Sequence, residues 1–231
     1  MIKKLFLIFS FLSLLNSLSA QGNLTDLDYK VFRLGFSLGT NFMDFGIEHS
    51  EMVQDGKIYY ADVADLTPGF SVGLITDLRL HRHFNLRFTP ALLIGERNLS
   101  FKSYDVATGI FEKDKVLKIF SLPIDLPFNF RYSAERFGNF KPYIQIGAGT
   151  YFDLGRDEKT DVTLDLLDFY VSSGVGCDIY FKYFKLSPEL KFNFGQSNVL
   201  SPKTSTTDNL TYTNALTKLL SRIIVFNLNI E

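Results

Sequence analysis

The chain has 231 residues, with 24 lysines and arginines against 25 aspartates and glutamates and a formal net charge of −1 at pH 7. This balance gives no indication of a basic surface for nucleic acid, so no nucleic acid is expected as a partner. The single cysteine, Cys177, excludes an internal disulfide framework, and we interpret it as a small apolar side chain on a buried or lipid-facing surface.

The first 20 residues have the three parts of a cleavable secretory signal. Lys3 and Lys4 supply positive charge, residues 5–15 form an apolar run, and residues 17–20 supply a small-residue ending. The apolar run is shorter than the roughly 20 residues that a transmembrane helix needs. We therefore predict a signal peptide over residues 1–20.

From residue 31 onward, large apolar residues alternate with polar or small residues. In one such segment Phe84, Leu86 and Phe88 share one face, while Asn85 and Arg87 share the other. A period of two predicts β-strands, and no run of 18 apolar residues follows the signal. Eight segments show the pattern, at about residues 31–47, 67–80, 84–103, 115–133, 140–154, 166–181, 183–195 and 219–231.

The connections between these segments alternate in length. Eight strands is an even number, as closure of an antiparallel barrel requires, and long outer loops with short periplasmic turns place both chain ends in the periplasm. We therefore predict an all-β fold, an eight-stranded antiparallel transmembrane β-barrel over 31–231 in the cell outer membrane, preceded by a periplasmic N-terminal tail over 21–30. The predicted long loops lie around 48–66, 104–114, 155–165 and 196–218, and the short turns around 81–83, 134–139 and 182–183.

The two faces of the predicted strands differ in character. One carries large aliphatic and aromatic residues, whereas the other is rich in glycine, serine, asparagine and charge and is too polar to form a dry core. The apolar face should therefore meet lipid, unlike that of a soluble ligand-binding barrel. Aromatic residues near the strand ends predict two membrane girdles: Phe32, Phe84, Tyr132, Tyr143, Tyr180 and Tyr183 on the periplasmic side, and Phe70, Phe101, Phe120, Phe152 and Phe194 on the outer side.

Two local features complete the strand prediction. Pro90, Pro123 and Pro127 fall within strands, where a missing N–H group is typical of β-bulges. Residues 214–220 could form a short helix before the last strand.

Charged residues on the polar face predict an ion-pair network in the lumen. An eight-stranded barrel is just wide enough inside for its own side chains, so the network should fill the barrel rather than leave a conducting pore. We expect Asp125 with Arg87 or Arg131 as its central pair. The network is assigned to Asp77, Arg79, Arg87, Asp125, Arg131, Glu189 and Lys191, and Arg97, Asp153 and Asp178 also face the lumen.

The three histidines offer little for chemistry. His81 and His83 flank a turn without a cysteine or carboxylate at metal-ligand spacing. His49 precedes Ser50, but neighbours on an extended chain point to opposite faces, which makes a direct His–Ser pair awkward. We expect no catalytic residue, no bound cofactor and no metal, although a lipid-modifying barrel enzyme that uses His49 stays open as an alternative.

Several short segments resemble the PorT family of outer-membrane barrels in Bacteroidetes, a component of the type IX secretion system. They are Phe32–Gly39 with Met43–Phe45, Pro68–Phe70, Asp77–Leu80, Asn85–Phe88, Leu122–Ile124, Phe130–Ser133, Lys141–Tyr143 and Ser221–Arg222. The resemblance implies a role in exporting cargo that carries a conserved C-terminal domain, with outer-membrane lipid and other secretion-system subunits as partners. A filled lumen cannot pass a folded protein, so an accessory or assembly subunit is expected. A small passive porin or generic structural barrel is the alternative.

Overall fold

The computed structural model describes residues 28–50, 53–54, 57–64, 66–106, 108–155, 164–201 and 215–231. The predicted signal peptide, and residues 21–27 of the predicted tail, lie outside these ranges. Within them the chain forms twelve β-strands. These are β1 (Phe32–His49), β2 (Val53–Gln54), β3 (Lys57–Val63), β4 (Pro68–Arg79), β5 (Phe84–Phe88), β6 (Ala91–Asp105), β7 (Phe111–Ser121), β8 (Pro123–Ser133), β9 (Phe140–Asp153), β10 (Leu167–Tyr180), β11 (Lys185–Gly195) and β12 (Leu216–Ile230).

The strands close into a ring because β1 is paired on both of its edges. Phe36 of β1 lies opposite Ile230 of β12 and also opposite Leu74 of β4. The remaining pairs, all antiparallel, run from β4 through β5 and β6 to β8, and then through β9, β10 and β11 to β12. Since β6 continues β5 and β8 continues β7, the ring has eight walls. The predicted eight-stranded antiparallel barrel is confirmed by this pairing.

The proline-containing interruptions do not shift the register. Phe88 faces Phe128 before the break in the third wall, and Ala91 faces Asp125 after it, so each strand advances by the same number of residues. Pro90 and Pro127 remove ladder hydrogen bonds because they have no N–H group, but no residue is inserted. The bulges predicted at Pro90, Pro123 and Pro127 are therefore wrong. Register shifts instead occur between Phe101 and Lys102 and between Glu48 and His49.

The apolar face of the barrel points outward and the polar face inward. Leu34, Leu74 and Ile146 are 65%, 65% and 64% exposed, whereas Asp77 and Arg87 are 0% and 1% exposed. The predicted assignment of the two faces is confirmed for these strands. Cys177 is half-buried and lies on the outward face of β10, which it shares with the exposed side chains of Val171 and Val175.

Part of the girdle prediction is wrong. Tyr143, Tyr180 and Phe101 are 3%, 1% and 0% exposed and point into the barrel. Tyrosine suits either side of a barrel wall because it carries both an apolar ring and a hydroxyl group. Other predicted girdle residues, including Phe70, Phe120, Tyr132 and Phe194, do lie exposed on the outer surface.

The two ends of the barrel differ in the length of their connections, as predicted. Residues 80–83, 134–139 and 181–184 make short turns at one end, which we call the periplasmic end. Phe137 and Phe140 exchange both backbone hydrogen bonds, at 2.8 and 3.0 Å, across Gly138 and Asn139. Gly138 has a φ of 59°, which a glycine adopts without strain at the first central position of a type II′ hairpin turn.

At the opposite end, the chain forms more sheet than predicted. The predicted loop at 48–66 contains β2 and β3, and β3 pairs with the outer half of β6, which pairs in turn with β7. The helix predicted at 214–220 is wrong, because β12 begins at Leu216. None of the described helical turns is long and apolar enough to cross a membrane.

An apolar cluster fills the outer end of the barrel, where a polar lumen was predicted. It lies between the outer sheet of β2, β3, β6 and β7 and the facing ends of β1 and β12. Leu164, which precedes β10, and Val199, which follows β11, add apolar side chains to it, and all of its members are buried from water. We call this cluster the outer core: Phe45, Ala61, Leu99, Phe101, Leu117, Ile119, Leu164, Val199, Ala215, Leu216 and Leu219.

Candidate functional site

The periplasmic half of the lumen contains a dense ion-pair network centred on Asp77. This carboxylate accepts hydrogen bonds from Arg33 at 2.7 Å, from Asn85 at 2.5 Å and from the Nε atom of Arg87 at 2.9 Å. The donors come from β1 and β5, the two neighbours of β4 in the ring. Charge-assisted bonds of this kind offset the desolvation of the buried charges only when the geometry is complete.

Glu231, which follows β12, is the second carboxylate of the network. It accepts a hydrogen bond from Arg87 at 2.5 Å and one from Lys185 at 2.8 Å. The Nε atom of Arg33 lies 3.4 Å from the same side chain. Arg87 on β5 is therefore the hub that joins Asp77 on β4 to the end of β12 across the lumen.

A third group of side chains surrounds Asp178 on β10. Arg131 forms a short ion pair with it, and Ser187 donates a hydrogen bond to it at 2.5 Å. The Arg131 guanidinium also lies 3.5 Å from the centre of the Tyr143 ring, and the Tyr143 hydroxyl donates to Glu189 at 2.8 Å.

These groups together form what we call the inner network. It has four cations, Arg33, Arg87, Arg131 and Lys185, and four carboxylates, Asp77, Asp178, Glu189 and Glu231. The equal numbers balance the formal side-chain charge within this group of described residues.

The predicted central pair is wrong. Asp125 accepts hydrogen bonds from Lys191 at 3.3 Å and from the Tyr170 hydroxyl. It lies six positions from Arg131 along the same strand, a rise of about 20 Å, and Arg87 is turned toward Asp77. Asp125 and Lys191 thus form a separate pair nearer the middle of the barrel.

Arg79 is also misassigned by the sequence prediction. It is the last residue of β4, and its half-buried side chain lies at the periplasmic mouth instead of in the network. Its guanidinium sits 5.6 Å from the centre of the Tyr29 ring, and its Nε atom donates to the carbonyl of His81 at 3.4 Å. Of the seven predicted residues, Asp77, Arg87, Arg131 and Glu189 belong to the inner network, and Asp125 and Lys191 form their own pair.

Sequence reasoning missed three members of the inner network. Arg33 shares its face of β1 with Gly35 and Ser37. The side chain of Lys185 points to the other side of the barrel wall from those of Phe184 and Leu186. Glu231 continues the polar face of β12. Alternation alone could have included all three. They were missed because each lies at the end of a strand, where a charged side chain is equally consistent with exposure to solvent.

Among the described residues, large side chains obstruct the passage between the inner network and the outer core. Arg97 donates to Ser221 at 3.2 Å, and its guanidinium lies 4.9 Å from the centre of the Phe45 ring. Tyr151 stacks on Tyr170 with ring centres 4.3 Å apart. The polar cavity beside Asp125 and Lys191 has a volume of about 10 Å³, which is about the space that one water molecule needs.

The periplasmic mouth is spanned by the segment before β1. The Asp28 carboxylate accepts hydrogen bonds from the Tyr180 hydroxyl at 2.7 Å, from Lys141 at 3.1 Å and from Arg136 at 3.2 Å. These partners belong to β9, β10 and the turn before β9, on the side of the ring opposite β1. We call this contact the Asp28 latch.

The latch should open only in strong acid. Burial raises the pKa of Asp28, but the Tyr180 hydrogen bond and the charges of Lys141 and Arg136 outweigh it and hold the pKa below its ordinary value. The stabilisation is therefore complete above the ordinary aspartate pKa of about 3.9 and is lost as the pH falls through the lower, folded-state value.

A nitroxide spin label tests this pH dependence. Attached at Tyr29→Cys in a Cys177→Ser background, it should stay immobilised from neutral pH down to about pH 4 and become mobile below that. The Asp28→Asn variant should be mobile throughout. A label that is released at pH 5 or above would contradict the proposed latch chemistry.

Two of the three histidine side chains contact backbone carbonyl groups. The His49 Nε2 atom lies 2.5 Å from the carbonyl oxygen of Ala61, and the His83 Nδ1 atom lies 3.0 Å from that of Ser133. Within the ranges that the structure describes, no three His, Cys, Asp or Glu side chains are grouped as metal ligands.

The sequence and the fold are similar to known outer-membrane proteins. The family described as "Outer membrane protein beta-barrel domain" matches residues 19–201. No curated protein matches the chain.

Three solved structures are similar in fold. Neisserial surface protein A (NspA) is 11% identical with a TM-score of 0.45, over 87% of this chain and 98% of that one. OprG from Pseudomonas aeruginosa is 13% identical with a TM-score of 0.40, over 86% and 91%. AlkL in lipid bilayers is 15% identical with a TM-score of 0.36, over 92% and 90%.

Proposed function

Because the chain belongs to the outer membrane protein β-barrel domain family and lies in the outer membrane, we propose that it serves there as a closed accessory or assembly subunit of a protein secretion machinery. The resemblance to the PorT family points to the type IX system, which exports cargo with a conserved C-terminal domain. In this role the barrel holds other subunits in the membrane, and the cargo passes elsewhere.

The closed interior is the observation that carries this proposal. In the part of the chain that the structure describes, the inner network occupies the periplasmic half, the outer core occupies the opposite end, and a cavity of about 10 Å³ lies between them. A folded protein, or even a small solute, would have to break several buried ion pairs to pass. Breaking one such pair by removing a partner costs about 3–5 kcal/mol, so transport through the lumen is a poor fit.

The partners of such a subunit would be lipid and protein. The exposed apolar belt, with Leu34, Leu74 and Ile146 among its most exposed members, suits outer-membrane lipid. The outer sheet and the periplasmic mouth remain as surfaces for other secretion-system subunits. The chain is proposed to have no enzymatic activity of its own, and an unchanged lipid profile in a His49→Ala strain would agree with this.

A conductance measurement separates the closed barrel from a passive porin. The purified chain in a planar lipid bilayer should give no steady ion conductance, because the charges of the inner network are paired and the outer core excludes water. An open general porin reconstituted in the same way is the control. Stable, stepwise channel openings would favour the alternative, a small porin that conducts solutes.

Deletion of the gene tests the secretion role itself. Cargo with the secretion C-terminal domain should accumulate in the periplasm, and the wild-type chain should restore surface export. A strain that expresses an unrelated outer-membrane barrel from the same promoter controls for general envelope damage. Unchanged export after deletion would leave a structural barrel of the outer membrane as the function to pursue.

A further inference from the structure

The periplasmic mouth contains a cavity of about 490 Å³. Of the residues that the structure describes, four cations and two carboxylates line it, so this part of the lining carries more positive than negative charge. It is bounded by the tail at Asp28 and Tyr29, by the β4–β5 turn and by the β8–β9 turn. Its lining residues are Asp28, Tyr29, Arg79, Arg82, His83, Ala134, Glu135, Arg136 and Lys141.

The chain's own carboxylate shows which ligand chemistry this site accepts. Asp28 is held at once by Lys141, Arg136 and the Tyr180 hydroxyl, with distances of 2.7–3.2 Å. The Arg136 guanidinium also lies 3.8 Å from the centre of the Tyr180 ring, which fixes its plane. Two cations and a hydroxyl that converge on one carboxylate form a built receptor for that group.

The receptor faces the barrel axis and not the surrounding lipid. Lys141 and Tyr180 occupy inward-facing positions of β9 and β10, in register with the buried residues Tyr143 and Asp178. The side chains of Arg136 and Lys141 are each only 15% exposed. A lipid headgroup would approach from outside the ring, whereas a periplasmic polypeptide reaches the mouth directly.

A second ion pair at the mouth is exposed to solvent. Arg82 pairs with Glu135 at 3.1 Å, but both side chains are largely exposed, at 69% and 72%. Such an exposed pair is weak and exchanges readily with another carboxylate. A second acidic side chain could therefore be accepted beside the one that occupies the Asp28 position.

We propose that the periplasmic mouth is a binding site for an acidic segment of a periplasmic protein, whose carboxylates replace Asp28 at Arg136 and Lys141 and undock the tail. The tail then acts as an intramolecular competitor that sets the affinity of the site. This interaction goes beyond the proposed secretion role, because it requires only a periplasmic partner and makes no assumption about cargo.

Binding of a fluorescent hexaglutamate peptide to the purified full-length chain in zwitterionic lipid nanodiscs tests the proposal. Asp28→Asn should tighten binding by at least about threefold, because it removes the competing charge. Arg136→Gln and Lys141→Gln should each weaken it by a similar factor. Hexaglutamine is the peptide control, and Lys102→Gln, on the outer sheet, is the matched variant that should leave binding unchanged.

The spin label at Tyr29→Cys gives a second measurement on the same samples. Hexaglutamate should mobilise it in the otherwise unchanged chain and have no further effect in Asp28→Asn. Circular dichroism of every variant confirms that the barrel has folded. Equal affinity of all variants, or binding without tail release, would overturn the proposal, as would tail release by anionic lipid in the nanodisc but not by the peptide. None of these outcomes depends on cargo export.

Discussion

Replacing Arg87 with methionine should lower the free energy of unfolding by about 3–5 kcal/mol. Methionine keeps most of the side-chain volume but leaves Asp77 and Glu231 without the cation that bonds to both, at 2.9 and 2.5 Å. Both carboxylates are buried, so water cannot replace the lost bonds. The loss should lie toward the upper end of this range because Arg87 bonds to two carboxylates on different strands.

Urea unfolding of the barrel in lipid vesicles, followed by circular dichroism, measures this loss. Arg82→Met makes the same chemical change at a side chain that is 69% exposed, and it should change the stability by no more than about 1 kcal/mol. If the two variants unfold at the same urea concentration, the inner network does not hold the barrel together.

Replacing Phe101 with alanine should cost about 3–5 kcal/mol of unfolding free energy. Its ring is 0% exposed and lies in the outer core, between the outer sheet and the facing ends of β1 and β12. Removing it would lose apolar contacts and leave a cavity that the surrounding strands cannot fully close. The same vesicle unfolding assay applies.

Phe137→Ala is the matched control for that change. Phe137 lies in a periplasmic turn and is 84% exposed, so its loss should shift stability by about 0.5 kcal/mol or less. Equal costs for the two substitutions would mean that the outer core contributes no more to stability than an exposed turn.

The strand pattern could be predicted well because it depends on a local period of two. The predicted segment 140–154 matches β9 at Phe140–Asp153, and 166–181 matches β10 at Leu167–Tyr180. Alternation could not show what the inward face of a strand packs against at the outer end of the barrel, beyond the lipid. Leu99 and Phe101 follow the inward face of β6, but only the pairing with β3 and β7 shows that the inside is apolar there.

The lumen-facing charges could be predicted as a set but not as pairs. Parity places Asp77, Arg87 and Asp125 inside, whereas their height depends on how far each strand is staggered against the next. That stagger places Arg87 beside Asp77 and brings Asp125 to Lys191. The Asp28 latch could not be predicted from the sequence. It joins a tail to strands across the ring, and the periodicity of the sequence does not indicate such a contact.

The two halves of the interior should respond to cooling in the same direction, for different physical reasons. Burial of apolar groups weakens on cooling, so local opening near Phe101 becomes easier in the cold. The desolvation penalty of buried ion pairs falls on heating and therefore rises on cooling, so the surroundings of Arg87 are also less favoured in the cold. Cold should therefore loosen the barrel at both ends, and neither half of the interior compensates for the other.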